Sequence, residues 1–113
     1  MNESRVELRP IRLPCSLEVT GAHTLYGETR ALSEREASVH SPHLAVPGPR
    51  KPKTGDTGTL TLGATSRLSQ REVLKIPCRV AHVIGTIVGL QLNIVGLNGR
   101  QKDYLAALLA PRA

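Results

Sequence analysis

The stretch EVLKIPCRVAHVIGTIVGLQLNIV, residues 72–95, decides the fold. Leu74, Ile76, Cys78, Val80 and Ile84 recur on one side of an extended run. Val88, Leu90, Leu92 and Ile94 do the same after Gly85-Thr86. Alternation with a period of two, interrupted by two residues that include glycine, is the signature of a β-hairpin with one buried face. The strands are expected over Glu72–Ile84 and Ile87–Val95.

The same period recurs outward from this hairpin. Ile11, Leu13, Cys15, Leu17 and Val19 alternate with Arg12, Pro14, Ser16 and Glu18. Pro10 and Pro14 make this first strand read as an edge or bulged one, since proline donates no ladder bond. Further strands are expected over Thr24–Leu32, Ala37–Ser41 and Asp56–Leu62. Short polar connections lie at Thr20–His23, Ser33–Glu36 and Gly63–Gln70. Pro42–Gly55 carries four prolines and Arg50, Lys51 and Lys53. It reads as a basic loop without regular structure, either a tolerated surface insertion or a surface for an acidic partner. After the last strand the period changes. Asn98 can cap a helix over 99–110 in which Tyr104, Leu105, Leu108 and Leu109 share a face and which Pro111 ends. A helix this short needs a surface to dock on. These elements predict an all-β protein, a six-stranded antiparallel β-barrel with a C-terminal α-helix. Residues 1–9 are expected to form a flexible N-terminal arm and residues 10–113 a single domain.

Composition narrows the function. The chain has 113 residues, two tyrosines and no Phe or Trp, so its core must be aliphatic. Lys and Arg outnumber Asp and Glu by 15 to 9. That surplus suits an anionic partner, or serves only to keep the surface solvated. A small basic nucleic-acid-binding β-barrel is a third-ranked reading, because stacking platforms for bases are nearly missing. Cys15 and Cys78 fall at apolar strand positions and are expected as buried thiols, although spacing alone leaves a disulfide open. His23, His40, His43 and His82 are scattered, without metal-ligand spacing. Neither a nucleophile–base pair nor a phosphate-cradling glycine loop stands out, so no enzyme and no cofactor are expected. With no signal-peptide pattern and no apolar run of membrane-spanning length, the expected setting is cytoplasmic.

Several stretches resemble PilZ domains, which bind the bacterial second messenger cyclic di-GMP. RPIRLPCSLEV, residues 9–19, resembles their opening strand. GETRALSEREASVHSP, residues 27–42, is similar to their second and third strands, Gly55-Asp56 to the start of the fourth, and IPCRVAHVIGTIVGLQL, residues 76–92, to the final hairpin. The family motif R-x-x-x-R is matched by Arg5 and Arg9. Guanidinium groups at that spacing fork onto phosphates and stack on guanine. The second motif, D/N-x-S-x-x-G, falls on Ala31 to Glu36 and keeps only Ser33. Ala31 has no group for the guanine edge. Glu36 replaces glycine and adds negative charge beside an anionic ligand. Removing one charged hydrogen bond costs about 1.5–3 kcal/mol, so binding should fall by roughly a hundredfold or more. Arg30 and Arg35 flank the altered positions, with Arg35 the better candidate to offset them and solvated edge charge the plain alternative.

The resemblance therefore implies a non-enzymatic adaptor in cyclic di-GMP-linked signalling in a bacterium. It would act by docking on a protein partner, with weak or no nucleotide binding. The runner-up is a true cyclic di-GMP receptor using Arg5, Arg9, Ser33 and Arg35.

Overall fold

In the computed structural model, which describes residues 8–46, 50–63 and 74–109, Leu74–Ile84 pairs antiparallel with Ile87–Leu92. Ile84 sits opposite Ile87, so Gly85-Thr86 is a two-residue turn. Gly85 has φ +60°, and no residue type other than glycine has positive φ among the described residues. Glycine at the first central position is what a II′ hairpin turn requires.

In chain order the strands are β1 (Pro14–Val19), β2 (Leu25–Leu32), β3 (Glu36–His40), β4 (Thr57–Leu62), β5 (Leu74–Ile84) and β6 (Ile87–Leu92). All pairings are antiparallel and close a barrel in the order β1-β2-β3-β6-β5-β4. Helix α1 (Gly99–Leu109) follows and touches β5. Asn98 caps it reciprocally with Gln101. Gln101 N–H donates to Asn98 Oδ1 at 2.8 Å and Asn98 N–H to Gln101 Oε1 at 2.9 Å. This is a capping box built from amide side chains. Leu105 is buried, and Tyr104, Leu108 and Leu109 pack against the core.

The interior is aliphatic, as the composition required. Leu17, Leu32, Leu60, Leu62, Ile76 and Val88 are wholly buried, with Leu74, Val80 and Leu90 close behind. A six-stranded barrel is too narrow to enclose a channel, and these side chains fill it.

Five expectations are corrected. Closure leaves no edge at β1, whose Pro14 pairs with Glu28 as the first residue of the strand. Proline at a strand start loses little, since the ladder need not take its missing donor. Second, β1 begins at Pro14, not at Ile11. Leu13 N–H donates to Thr29 Oγ1 at 2.9 Å, Thr29 Oγ1 donates to Ile11 O, and Thr29 N–H donates to Leu13 O at 2.9 Å. A buried hydroxyl thus replaces ladder bonds here. Third, Ile84 is 69 % exposed, because a bulge between Val80 and His82 shifts the alternation and Val83 packs inward instead. Fourth, β6 ends at Leu92, where Asn93 Oδ1 accepts Val95 N–H in a local turn. Fifth, the proline-rich loop does contain regular structure. Pro42–Ala45 forms one 3₁₀ turn that buries Leu44. Of the other expected features, Glu72, Val73, Ala64–Gln70, Ala110 and Pro111 lie outside the described residues.

Cys15 and Cys78 are free and buried. Cys15 pairs across to Leu62 and Cys78 to Gly58 on the intervening strand β4. Those partners are four residues apart, a rise of about 13 Å, which is beyond disulfide reach. Burial, with Glu28 adding repulsion, pushes the Cys15 thiol from 9.0 to about 12. Burial pushes Cys78 to about 11, partly opposed by a backbone hydrogen bond from Leu60.

Two outcomes are expected. Thr29→Val, which keeps the volume but strips the hydroxyl, should lower unfolding free energy by about 1–3 kcal/mol in urea denaturation, and Thr29→Ser should lose much less. The folded state holds its thiol protons to higher pH than the unfolded chain, whose thiols titrate near 9.0. Stability should therefore be full below pH 9.0 and fall as pH rises from there toward 12, with Cys15→Ala/Cys78→Ala flattening that slope in urea melts.

Candidate functional site

The β2–β3 connection is built around Ser33. Ser33 N–H donates to Glu36 O at 2.8 Å and closes the turn. The Ser33 hydroxyl accepts the N–H groups of Arg35 at 3.1 Å and Glu36 at 2.9 Å, and itself donates to Glu36 O at 3.4 Å. Serine in this local pattern offers the backbone a turn in place of a ladder. The side chain is 2 % exposed. Every hydrogen-bonding capacity of this hydroxyl is thus used within its own turn.

Backbone pairing brings Arg9 beside the Ser33 turn. Arg9 N–H donates to Leu32 O and Leu32 N–H to Arg9 O, both at 2.9 Å. Arg9 therefore lies across from the residue that precedes Ser33, held by two bonds at what the sequence reads as the end of the arm. Arg5 lies outside the described residues. Arg35 is exposed at the tip of the turn, and its carbonyl accepts Leu92 N–H at 2.8 Å, fastening the turn to β6. Ala31 is half-buried on β2 opposite Ser38, just past an irregularity at Thr29 and Ala31. Glu36 is exposed at the start of β3 opposite Gln91. Its φ is not positive, so the backbone here does not itself demand glycine.

Beside the turn, the outer face of β3, β6 and β5 carries a cleft of about 300 Å³. Leu8, Glu36, Ser38, His82 and Gln91 are among its lining residues, while Arg9 and Arg35 are not. His82 lies over Gly89 on the neighbouring strand, and a Cβ at position 89 would overlap the imidazole. The bulge that follows Val80 aims His82 outward. Sequence reasoning missed Leu8, Ser38, His82 and Gln91, because the register that gathers them is set by that bulge. Gly89 alone gave a signal, as an interior glycine in a strand often marks a close approach. Chemically the cleft offers one carboxylate, one imidazole, an amide and a hydroxyl. Among the described residues no group of three or more His, Cys, Asp or Glu side chains is placed to hold a metal ion. Nor is any helix there long and apolar enough to cross a membrane.

Comparison with known proteins finds no matching family model and no match among curated sequences. Solved structures do match. One is the crystal structure of the PilZ domain of CeSA from a cellulose-synthesizing bacterium. It has a TM-score of 0.63 and 18 % identity, and the match covers 91 % of this chain and 94 % of that one. Another is the Bacillus subtilis inhibitor of motility, MotI/DgrA, with a TM-score of 0.63 and 10 % identity, covering 96 % of this chain. The chain spans about half of that protein, 51 % of its length. At these identities the likeness establishes the fold: a PilZ-type barrel, as the sequence resemblance implied.

Ser33→Ala should destabilise the domain by about 1–3 kcal/mol, because two turn N–H groups lose their acceptor. Differential scanning calorimetry reads this as a lowered Tm. Arg35→Ala, whose contribution here is its backbone carbonyl, should leave the Tm nearly unchanged.

Proposed function

We propose that the chain is a non-enzymatic signalling adaptor on a PilZ barrel, in cyclic di-GMP-linked regulation, acting through a protein partner with weak or no nucleotide binding. The observation that carries this reading is the Ser33 hydroxyl. It is the one residue kept from the second motif, and its bonds are spent on its own turn. Around it, Ala31 supplies only a methyl group. Glu36 places a carboxylate on the cleft next door, where a doubly anionic ligand meets repulsion. The likeness to a protein named for inhibiting motility supports a regulatory role over a catalytic one.

One observation favours a receptor. Pairing of Arg9 with Leu32 sets that arginine beside the Ser33 turn, within the region a nucleotide would have to reach. Arg35 stands exposed at the same turn. In that reading Arg5, Arg9, Ser33 and Arg35 would hold cyclic di-GMP.

Calorimetric titration with cyclic di-GMP at physiological salt separates the two. The adaptor reading expects no binding tighter than roughly tens of micromolar. A sub-micromolar isotherm abolished by Arg9→Ala would establish the receptor instead. Restoring the motif with Ala31→Asp and Glu36→Gly should tighten binding about tenfold or more, since charged or bidentate hydrogen bonds return. Unchanged affinity in that variant would mean that the second motif does not lie on these residues. A mobility-shift assay with mixed-sequence DNA and RNA should stay negative. A tight shift with a steep salt slope would favour the nucleic-acid reading.

A further inference from the structure

A second cleft lies at the other end of the barrel from the Ser33 turn. Antiparallel strands alternate direction, so the β1–β2 turn and the segment after β3 share one end while the β2–β3 turn occupies the opposite one. This cleft measures about 180 Å³. His23, Thr24 and Leu25 form one wall, His43 and Val46 of the 3₁₀ turn region another, and Arg50 and Lys51 the third. Its inner surface is almost wholly apolar, yet four of its seven lining residues are basic and none is acidic. Asp56, the acid nearest along this segment, is engaged in its own turn, accepting Lys53 N–H at 2.9 Å.

The walls are held in place. His23 N–H donates to Arg50 O, and one Arg50 guanidinium nitrogen donates to Gly21 O, both at 3.4 Å. That hydrogen bond engages one of a guanidinium's five N–H donors. Ser41, wholly buried, donates to Tyr26 O at 2.9 Å and fixes the start of the 3₁₀ turn. Beside the cleft, Tyr26 meets the His43 ring edge-on with centroids 6.2 Å apart. Tyr26 is 59 % exposed and Val46 49 %, both high for large apolar side chains. Exposed tyrosine, arginine and an apolar pocket together have the composition of an interface hot spot, where Tyr and Arg dominate.

We propose that this cleft is the docking site for an acidic peptide segment of a partner protein. One aliphatic side chain of the segment enters the cleft against Leu25 and Val46. Flanking carboxylates pair with Arg50 and Lys51, and Tyr26 packs on the peptide backbone. The volume suits a single Leu- or Ile-sized group. Charge complementarity selects the partner: a basic rim without carboxylates among the described residues attracts acid and repels base. Apolar walls argue against a polynucleotide, which would need a run of stacking surfaces in place of one hole. The proposal rests on the adaptor reading and gives it a surface and a partner chemistry.

The test uses a fluorescein-labelled peptide, Gly-Glu-Asp-Glu-Leu-Glu-Asp-Gly, followed by fluorescence anisotropy at 50 and 150 mM salt. Binding should weaken with salt, as exposed charge pairs do. It should weaken about tenfold when the peptide's leucine becomes serine, and about tenfold or more with Arg50→Glu/Lys51→Glu, roughly the effect of removing one well-made interaction. Thermal melts verify that the variant is folded. If it is not, Val46→Asp provides the second test, with the same weakening expected. Amide shifts on peptide addition should cluster at His23–Tyr26, His43–Val46 and Arg50–Lys51. Three results would each overturn the site: no binding, equal binding of the leucine and serine peptides, or equal binding of a DNA oligomer of matched charge. Cyclic di-GMP calorimetry on the same preparation keeps the two failures apart. Tight nucleotide binding sinks the adaptor reading, whereas absent nucleotide binding with absent peptide binding sinks the cleft alone.

Discussion

The molecule depends on the closure of β1 onto β4. Five pairings run from Cys15 opposite Leu62 to Val19 opposite Gly58. Without them the sheet would have two open edges and its aliphatic face would meet water. Closure is possible because Gly58 has no side chain where the Glu18 carbonyl approaches. It also fixes what the protein can do. The lumen is filled by Leu, Ile and Val, so no ligand enters it. Chemistry is confined to the outer faces and to the two ends, where loops are free to carry polar groups.

Much of this was legible in the sequence because the repeated signals are local. The period of two from Leu74 to Ile94, the glycine at position 85 and the Asn98 cap each act within a few residues. The misreadings have non-local causes. The bulge after Val80 is a property of pairing with β6, so nothing around Ile84 announced that it would face outward. The Thr29 hydroxyl works on Ile11 and Leu13, which only the fold brings beside it. Thr29 read from sequence is merely a β-branched residue in a strand. Proline in the 42–55 segment suggested irregularity, but Pro42 starts a helical turn well because its fixed φ suits that position. The candidate site was half legible for the same reason. Ser33 and Arg9 lie in motifs readable by spacing, whereas His82 and Gln91 reach the cleft through the register of two other strands.

The Ser33 turn is self-contained, with the hydroxyl serving its own backbone. A serine that caps its own turn stabilises that turn independent of any ligand. Its presence alone therefore does not argue for nucleotide binding, and its spent hydrogen bonds argue against a direct contact. Ala31 and Glu36 are more informative, because neither is demanded by the local backbone. Ala31 lies at the register shift of β2 against β3, but neither it nor Glu36 has the positive φ that would demand glycine. Their present chemistry is a feature of this chain's surface and not a requirement of its fold.

The two ends of the barrel are joined by β2, which runs from Leu25 in the basic cleft to Leu32 opposite Arg9. Eight residues of strand span about 26 Å. A strand hydrogen-bonded on both sides and packed through Leu25, Thr29 and Leu32 has little freedom to slide, since a register shift of one residue would turn its buried face outward. An event at the Ser33 turn can alter docking at the far end only if it favours one of two distinct arrangements of the molecule. The interior offers no second packing of comparable quality, given how completely the aliphatic side chains fill it. In the adaptor reading proposed above, the partner surface is therefore standing, with regulation acting on access to that surface in place of a change in its shape.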